Sequence, residues 1–242
     1  MTPAPTSTRS GSAPAARRPP APETGTGEHP HGTQSHCYCE TMTVDVRSPE
    51  MTESSLPDWA FPPPEGFVAE DLDRIPQLPA HTELIDGSLV FVSPQASFHT
   101  RTMYLLETGL NRTIPKDLRA RREMSVVLGE RQRPEPDISV IHASAEHSSE
   151  QTFYRAEDVV LVVEVISPDS KERDRDRKPT LYAEAGIAHF WLVENQSGKP
   201  AVYVYELDPV AKSYVLTGIH HDQLKISAPF DIDIDLTDIN QL

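Results

Sequence analysis

Asp158-Val-Val-Leu-Val-Val-Glu164-Val-Ile166 is the stretch that decides the fold of this chain. In an extended segment, Val160, Val162 and Ile166 fall on one side and Leu161, Val163 and Val165 on the other. A strand apolar on both sides belongs in the middle of a sheet covered on both faces. Glu164 stands where the pattern asks for another Val. A carboxylate there is costly unless it is paired, protonated or bound to a cation. Upstream, Pro136-Asp137 opens a second apolar segment, Asp137-Ile-Ser-Val-Ile141. Two carboxylates then meet at one end of a sheet. Converging carboxylates on buried strands point to a divalent metal and hydrolysis. A salt bridge to a nearby arginine is the plainer alternative.

Working outward, apolar His189-Phe-Trp-Leu-Val193 follows the central segment after a helical stretch that ends at Gly186, which gives the form of a βαβ unit. The helical stretch is expected over Thr180–Ala185, after the charged run Lys171 to Lys178. Arg121 to Leu128 reads as one strand before Asp137, and Ser97 to Ile114 as a helix closed by Pro115. Thr82–Ile85 and Ser88–Val92 flank Asp86-Gly87, the strongest local hairpin signal. Val68 to Ile75 suits a short helix. Ala201–Leu207 and Ser213–Thr217 form a hairpin or meander, and Phe230–Leu236 a short strand exposed on one face. The sum is an α/β domain with a mixed central sheet flanked by helices.

The first 60 residues differ in kind. They are rich in Pro, Ala, Ser, Thr and Gly, and offer too little apolar area to offset the entropy of ordering. Residues 1–60 are therefore expected to be a disordered tail, and residues 61–242 the folded domain. Arg9, Arg17 and Arg18 lie in no amphipathic pattern, which argues against a transit peptide. Cys37 and Cys39 stand in this tail as a C-x-C pair near His29, His31 and His36, too closely spaced for a usual structural zinc site. With no disulfide framework, the cytoplasm is the expected compartment. No apolar run approaches membrane-spanning length. A formal net charge of −15 argues against indiscriminate binding to nucleic acid or anionic membrane.

Several pieces taken together resemble a known family. Glu83-Leu-Ile-Asp-Gly87, Ser93-Pro94 with His99, Pro136-Asp137, Glu164-Val-Ile-Ser-Pro168, Asp174 with Lys178 and Tyr182, and Ala185-Gly-Ile-Ala-His-Phe-Trp-Leu-Val193 look like the Uma family of putative restriction endonucleases, within the PD-(D/E)XK nuclease superfamily. The resemblance spans residues 61 to 236 and implies a restriction-endonuclease-like fold. It also implies that Asp137 and Glu164, with the backbone carbonyl of Val165, hold Mg²⁺ or Mn²⁺ for phosphodiester hydrolysis in DNA. Hard oxygen donors suit these ions better than zinc. Glu83 matches the acidic residue that precedes the main pair, and a homodimer is a common arrangement among such nucleases.

The superfamily lysine, two residues beyond the glutamate, is replaced by Ile166. Lys178 is the best substitute and Lys171 a weaker one. Asp174 precedes Lys178 by four residues, on one face of a continuous helix, whereas Pro179 argues for a helix that starts only there. If Lys178 acts in catalysis, its truncation to Ala is expected to abolish cleavage and leave folding intact. His99, near a helix start, could contact metal-bound water or phosphate, with a capping or core role the favoured expectation, and Tyr182 and Trp191 are expected to be core residues. Arg101, Arg112, Arg119, Arg121, Arg122, Arg131 and Arg133 make the middle of the chain locally basic, either as a landing strip for DNA or as arginines scattered among the plentiful acids. Two other functions stay open: a degenerate nuclease-fold module that binds nucleic acid or protein without cutting, and a metal-free carboxylate hydrolase such as a glycosidase.

Overall fold

Burial along Val159–Val165 is nearly complete, and this strand sits inside a six-stranded sheet. The computed structural model describes residues 57–242. Most of the expected tail, with Cys37 and Cys39, lies outside the described residues.

In chain order, a single helical turn α1 (Asp71–Arg74) precedes the hairpin β1 (Glu83–Ile85) and β2 (Ser88–Val90). The long helix α2 (Ser97–Thr113) leads to β3 (Leu118–Arg122), β4 (Ser125–Val127), β5 (Ile138–His142) and β6 (Phe153–Arg155). Next come β7 (Val159–Val165), α3 (Lys178–Glu184), β8 (His189–Gln196), β9 (Lys199–Asp208) and β10 (Ser213–His220). A closing pair, β11 (Gln223–Ile226) and β12 (Ile232–Asp235), completes the chain of elements.

The main sheet runs β10-β9-β8-β7-β5-β3. Only β7 and β8 are parallel; every other neighbouring pair is antiparallel. The β7–α3–β8 unit is the crossover that the sequence announced, since a parallel pair needs a long connection. One face of the sheet packs Leu161, Val163 and Val165 with Leu106 and Leu110 of α2 and Ile232 and Ile234 of β12. Gly109 lets β12 close on α2, because a Cβ there would lie 2.5 Å from Ile234. The other face packs Val162, Phe190 and Leu192 against Tyr182 of α3 and Ile187. Val160 departs from strict alternation: it is half-buried against the α2 face.

Three local expectations change. The segment expected as one strand from Arg121 to Leu128 is two strands. Glu123, at φ +51°, breaks it; β3 stays in the main sheet while β4 pairs in parallel with β6. The expected helix from Val68 to Ile75 shrinks to one turn. The third change is in the charged run: Lys171 and Glu172 are already helical, and Arg173–Arg177 form a π-turn that runs directly into α3. The Lys178 N–H donates to the Arg173 carbonyl, five residues back. That bond widens the turn just ahead of Pro179, which has no N–H to give an ordinary α-turn. Helix and proline therefore coexist.

Candidate active site

Pairing of Ile138 with Val163 sets the register of β5 on β7, so Asp137, one step earlier, stands across from Glu164. Both line one cavity of about 80 Å³, together with Glu83, His99, Val165, Asp174 and Lys178. That space suits an ion with its waters rather than a whole nucleotide.

Each Asp137 oxygen has a fixed partner. Oδ1 lies 2.8 Å from His99 Nε2 on the first turn of α2, and Oδ2 accepts from the Val165 N–H at 2.6 Å. Glu164, 2 % exposed, accepts from the Tyr182 hydroxyl at 2.6 Å, and both of its oxygens lie 3.1 Å from Lys178 Nζ. The same ammonium lies 2.8 Å from Glu83 Oε1 and 3.4 Å from Asp174 Oδ1. Glu83 also accepts from the Glu135 N–H at 2.9 Å, which fixes the β1 hairpin against the loop before β5. The hairpin is clamped to the π-turn as well: Arg177 Nε donates to Asp86 Oδ2 at 2.8 Å. Two positive-φ residues, Asp86 at +53° and Gly87 at +75°, make that tight turn feasible.

Three buried carboxylates share one ammonium here. Burial pushes the Glu164 carboxyl well above its ordinary range, with Lys178 pulling against it and Asp174, Asp137 and Glu83 adding to the rise. Burial raises Asp174 too. On Lys178 burial favours loss of the proton, but Glu164, Glu83 and Asp174 outweigh it and hold the amine well above its ordinary value. At the cavity rim, burial raises Glu135 while its hydrogen bond lifts the His81 imidazole; the two groups lie 2.5 Å apart.

Asp137, Glu164, Lys178 and Glu83 are thus brought together, and Val165 joins them through its N–H. Ile166 packs on the α3 side of the sheet, outside the cluster. Because Lys178 is 4 % exposed and surrounded by carboxylates, the expectation that its truncation leaves folding intact does not hold up physically: the change strands buried charges. His99 is not a simple cap or core residue, since it holds Asp137. Nor is Tyr182 merely core. Asp174, Lys178 and Tyr182 recur every fourth residue, a one-face signal that was legible in the sequence. Nothing local marked Glu135 or His81.

The donor set fits a hard divalent cation. Asp137 and Glu164 offer carboxylate oxygens on one cavity wall, and each Asp137 oxygen carries one protein hydrogen bond, leaving a further lone pair. Among the described residues no three His, Cys, Asp or Glu side chains form a ready cage. Mg²⁺ commonly uses one or two carboxylates plus waters and substrate phosphate.

The basic strip does not assemble. Arg121 pairs with Glu146, Arg122 with Glu107 and buried Arg133 with Asp73. Arg101, Arg119 and Arg131 donate to backbone carbonyls, and Arg112 is exposed on α2. Among the described residues, no helix is long and apolar enough to cross a membrane.

A family model described as "Uma2: Putative restriction endonuclease" matches residues 69–237. A solved structure, described as a putative nuclease belonging to DUF820 from Anabaena variabilis ATCC 29413, is 16% identical, with a TM-score of 0.56 over 72% of this chain and 98% of that one. At that identity the likeness concerns the fold. The apo form of NucC from E. coli MS115-1 is 20% identical, with a TM-score of 0.27 over 43% of this chain and 50% of that chain. No curated protein gives a significant match.

Proposed function

The chain belongs to the Uma2 family of putative restriction endonucleases, and from that premise we propose that it is a Mg²⁺-dependent endonuclease, with Mn²⁺ as a substitute, that hydrolyses phosphodiester bonds in DNA. One observation carries this reading. Asp137 and Glu164 face each other across adjoining strands on a single cavity, with the Lys178 ammonium at 3.1 Å from Glu164.

Asp137 and Glu164 would hold the ion. When bound, it supplies Lewis-acid polarisation of the phosphate and lowers the pKa of an attacking water. The chain's own groups do the rest. His99 and the Val165 N–H fix the direction of Asp137. Tyr182 and Lys178 fix Glu164. Glu83 and Asp174 keep the Lys178 charge beside Glu164, at the wall where negative charge develops as water oxygen bonds to phosphorus and the leaving oxygen departs.

Incubating the full chain with supercoiled and linear DNA, with single strands and with RNA, tests the proposal. Wild type is expected to cut DNA with Mg²⁺ and not with EDTA. Asp137→Asn is expected to lower the rate at least 100-fold, the scale for losing one preorganised electrostatic contact, about 2.7 kcal/mol or more. Wild type that binds DNA but cuts no substrate with Mg²⁺ or Mn²⁺ would sink the enzyme and leave the non-cutting nuclease-fold module.

A further inference from the structure

Three carboxylates surround the Lys178 ammonium. Nζ lies 2.8 Å from Glu83, 3.1 Å from Glu164 and 3.4 Å from Asp174. All four side chains are at most 4 % exposed. Buried and ringed by carboxylates, Lys178 behaves as a bound cation.

A second observation points the same way. Asp174 Oδ1 is buried without any hydrogen bond, and the charge of Lys178 lies 3.4 Å from it. A buried carboxylate oxygen with no donor is expensive unless a cation answers it. Placement of the ammonium is built into the fold: the π-turn sets Asp174 and Lys178 on one side, and the Arg177–Asp86 contact ties that turn to the hairpin carrying Glu83.

Resting on the nuclease reading, we infer that Glu83, Glu164 and Asp174 form a second cation site which the protein fills with its own Lys178 ammonium, so that the chain takes one divalent ion and not two. Distances of 2.8 to 3.4 Å shrink to the roughly 2.3–2.6 Å of Ca²⁺–oxygen bonds with side-chain shifts of about 1 Å or less. The three carboxylates are no ready cage as they stand, and an ion replacing the ammonium would draw them together by those shifts. A tethered ammonium never dissociates, which leaves a single exchangeable ion at Asp137 and Glu164.

Calorimetric titration of the full-length chain with Ca²⁺ and with Mn²⁺ tests this without any cleavage assay. Wild type should bind one ion. Lys178→Met, close to isosteric but uncharged, should bind two, and its melting temperature should rise with Ca²⁺ far more than that of wild type. Adding Asp174→Asn to Lys178→Met should remove the second ion. Should Lys178→Met not fold without metal, Lys178→Gln keeps a donor in place and is titrated instead. Two ions in wild type, or one in the lysine variants, overturns the inference while leaving the nuclease reading standing. Wild type that binds none overturns the metal-dependent reading and this inference with it.

Discussion

At the scale of residues, the chemistry is concentrated on a few groups whose charges are mutually dependent. Glu164 is held up by burial and by its acidic neighbours, so neutralising it relieves the cluster. Glu164→Gln keeps an acceptor for Tyr182 and leaves Lys178 paired with Glu83 and Asp174. It is expected to stabilise the metal-free protein by roughly 1–2 kcal/mol, seen in urea unfolding, and to abolish Mg²⁺-dependent cleavage. A lower unfolding midpoint would show that Glu164 is a net structural asset. His81 offers a pH test. Its raised pKa means that its contribution to stability is complete below 6.5 and is lost as pH rises through the higher folded value. The stability difference between wild type and His81→Gln should therefore shrink between about pH 6 and about pH 8. A difference that is flat over that window would show that the Glu135 contact contributes nothing.

The elements matter through how they end. Helix α3 does not start at Pro179; the π-turn ahead of it absorbs the missing N–H and turns Lys178 inward. Pro179→Ala restores a backbone donor, favours an ordinary α-turn and rotates Asp174 relative to Lys178. The expected outcome is a melting temperature equal to or above that of wild type, with cleavage slowed about 10- to 100-fold, the scale of a misplacement near 1 Å. Unchanged cleavage would mean that the π-turn is incidental. The split of β3 from β4 has a comparable role. Glu123 breaks the strand at the cavity rim, and β4 leaves the main sheet to pair with β6.

For the molecule as a whole, the composition of the first 60 residues sets an expectation that the domain core does not need them. Deleting residues 1–50 should move the melting temperature by no more than about 1 °C, under the roughly 2–4 °C that about 1 kcal/mol brings to a domain of this size. A large drop would show that the segment docks on the domain. Charge acts at this scale too. The net charge is −15, and six of the seven arginines of the middle segment, all but exposed Arg112, are engaged within the chain, so DNA has no ready basic strip there. Contact with substrate is better sought around the cavity than across that segment.

Much of this protein was written in its sequence because the signals are local. A strand apolar on both faces can sit only inside a covered sheet, so Asp158–Ile166 announced the central strand, and the parallel β7–β8 pair followed from the helix between them. Asp137 and Glu164 stood out because a carboxylate in an apolar strand needs an external reason. What tertiary structure alone decided are the pairings across long separations. His99 reaches Asp137 from 38 residues away, and Glu83 meets Lys178 from a hairpin near the start of the domain. The split of β3 from β4 depends on β6, a partner about 30 residues downstream. Pro179 reads as a helix start until the π-turn is seen. Such features depend on which distant groups burial forces together, and residue spacing carries no record of that.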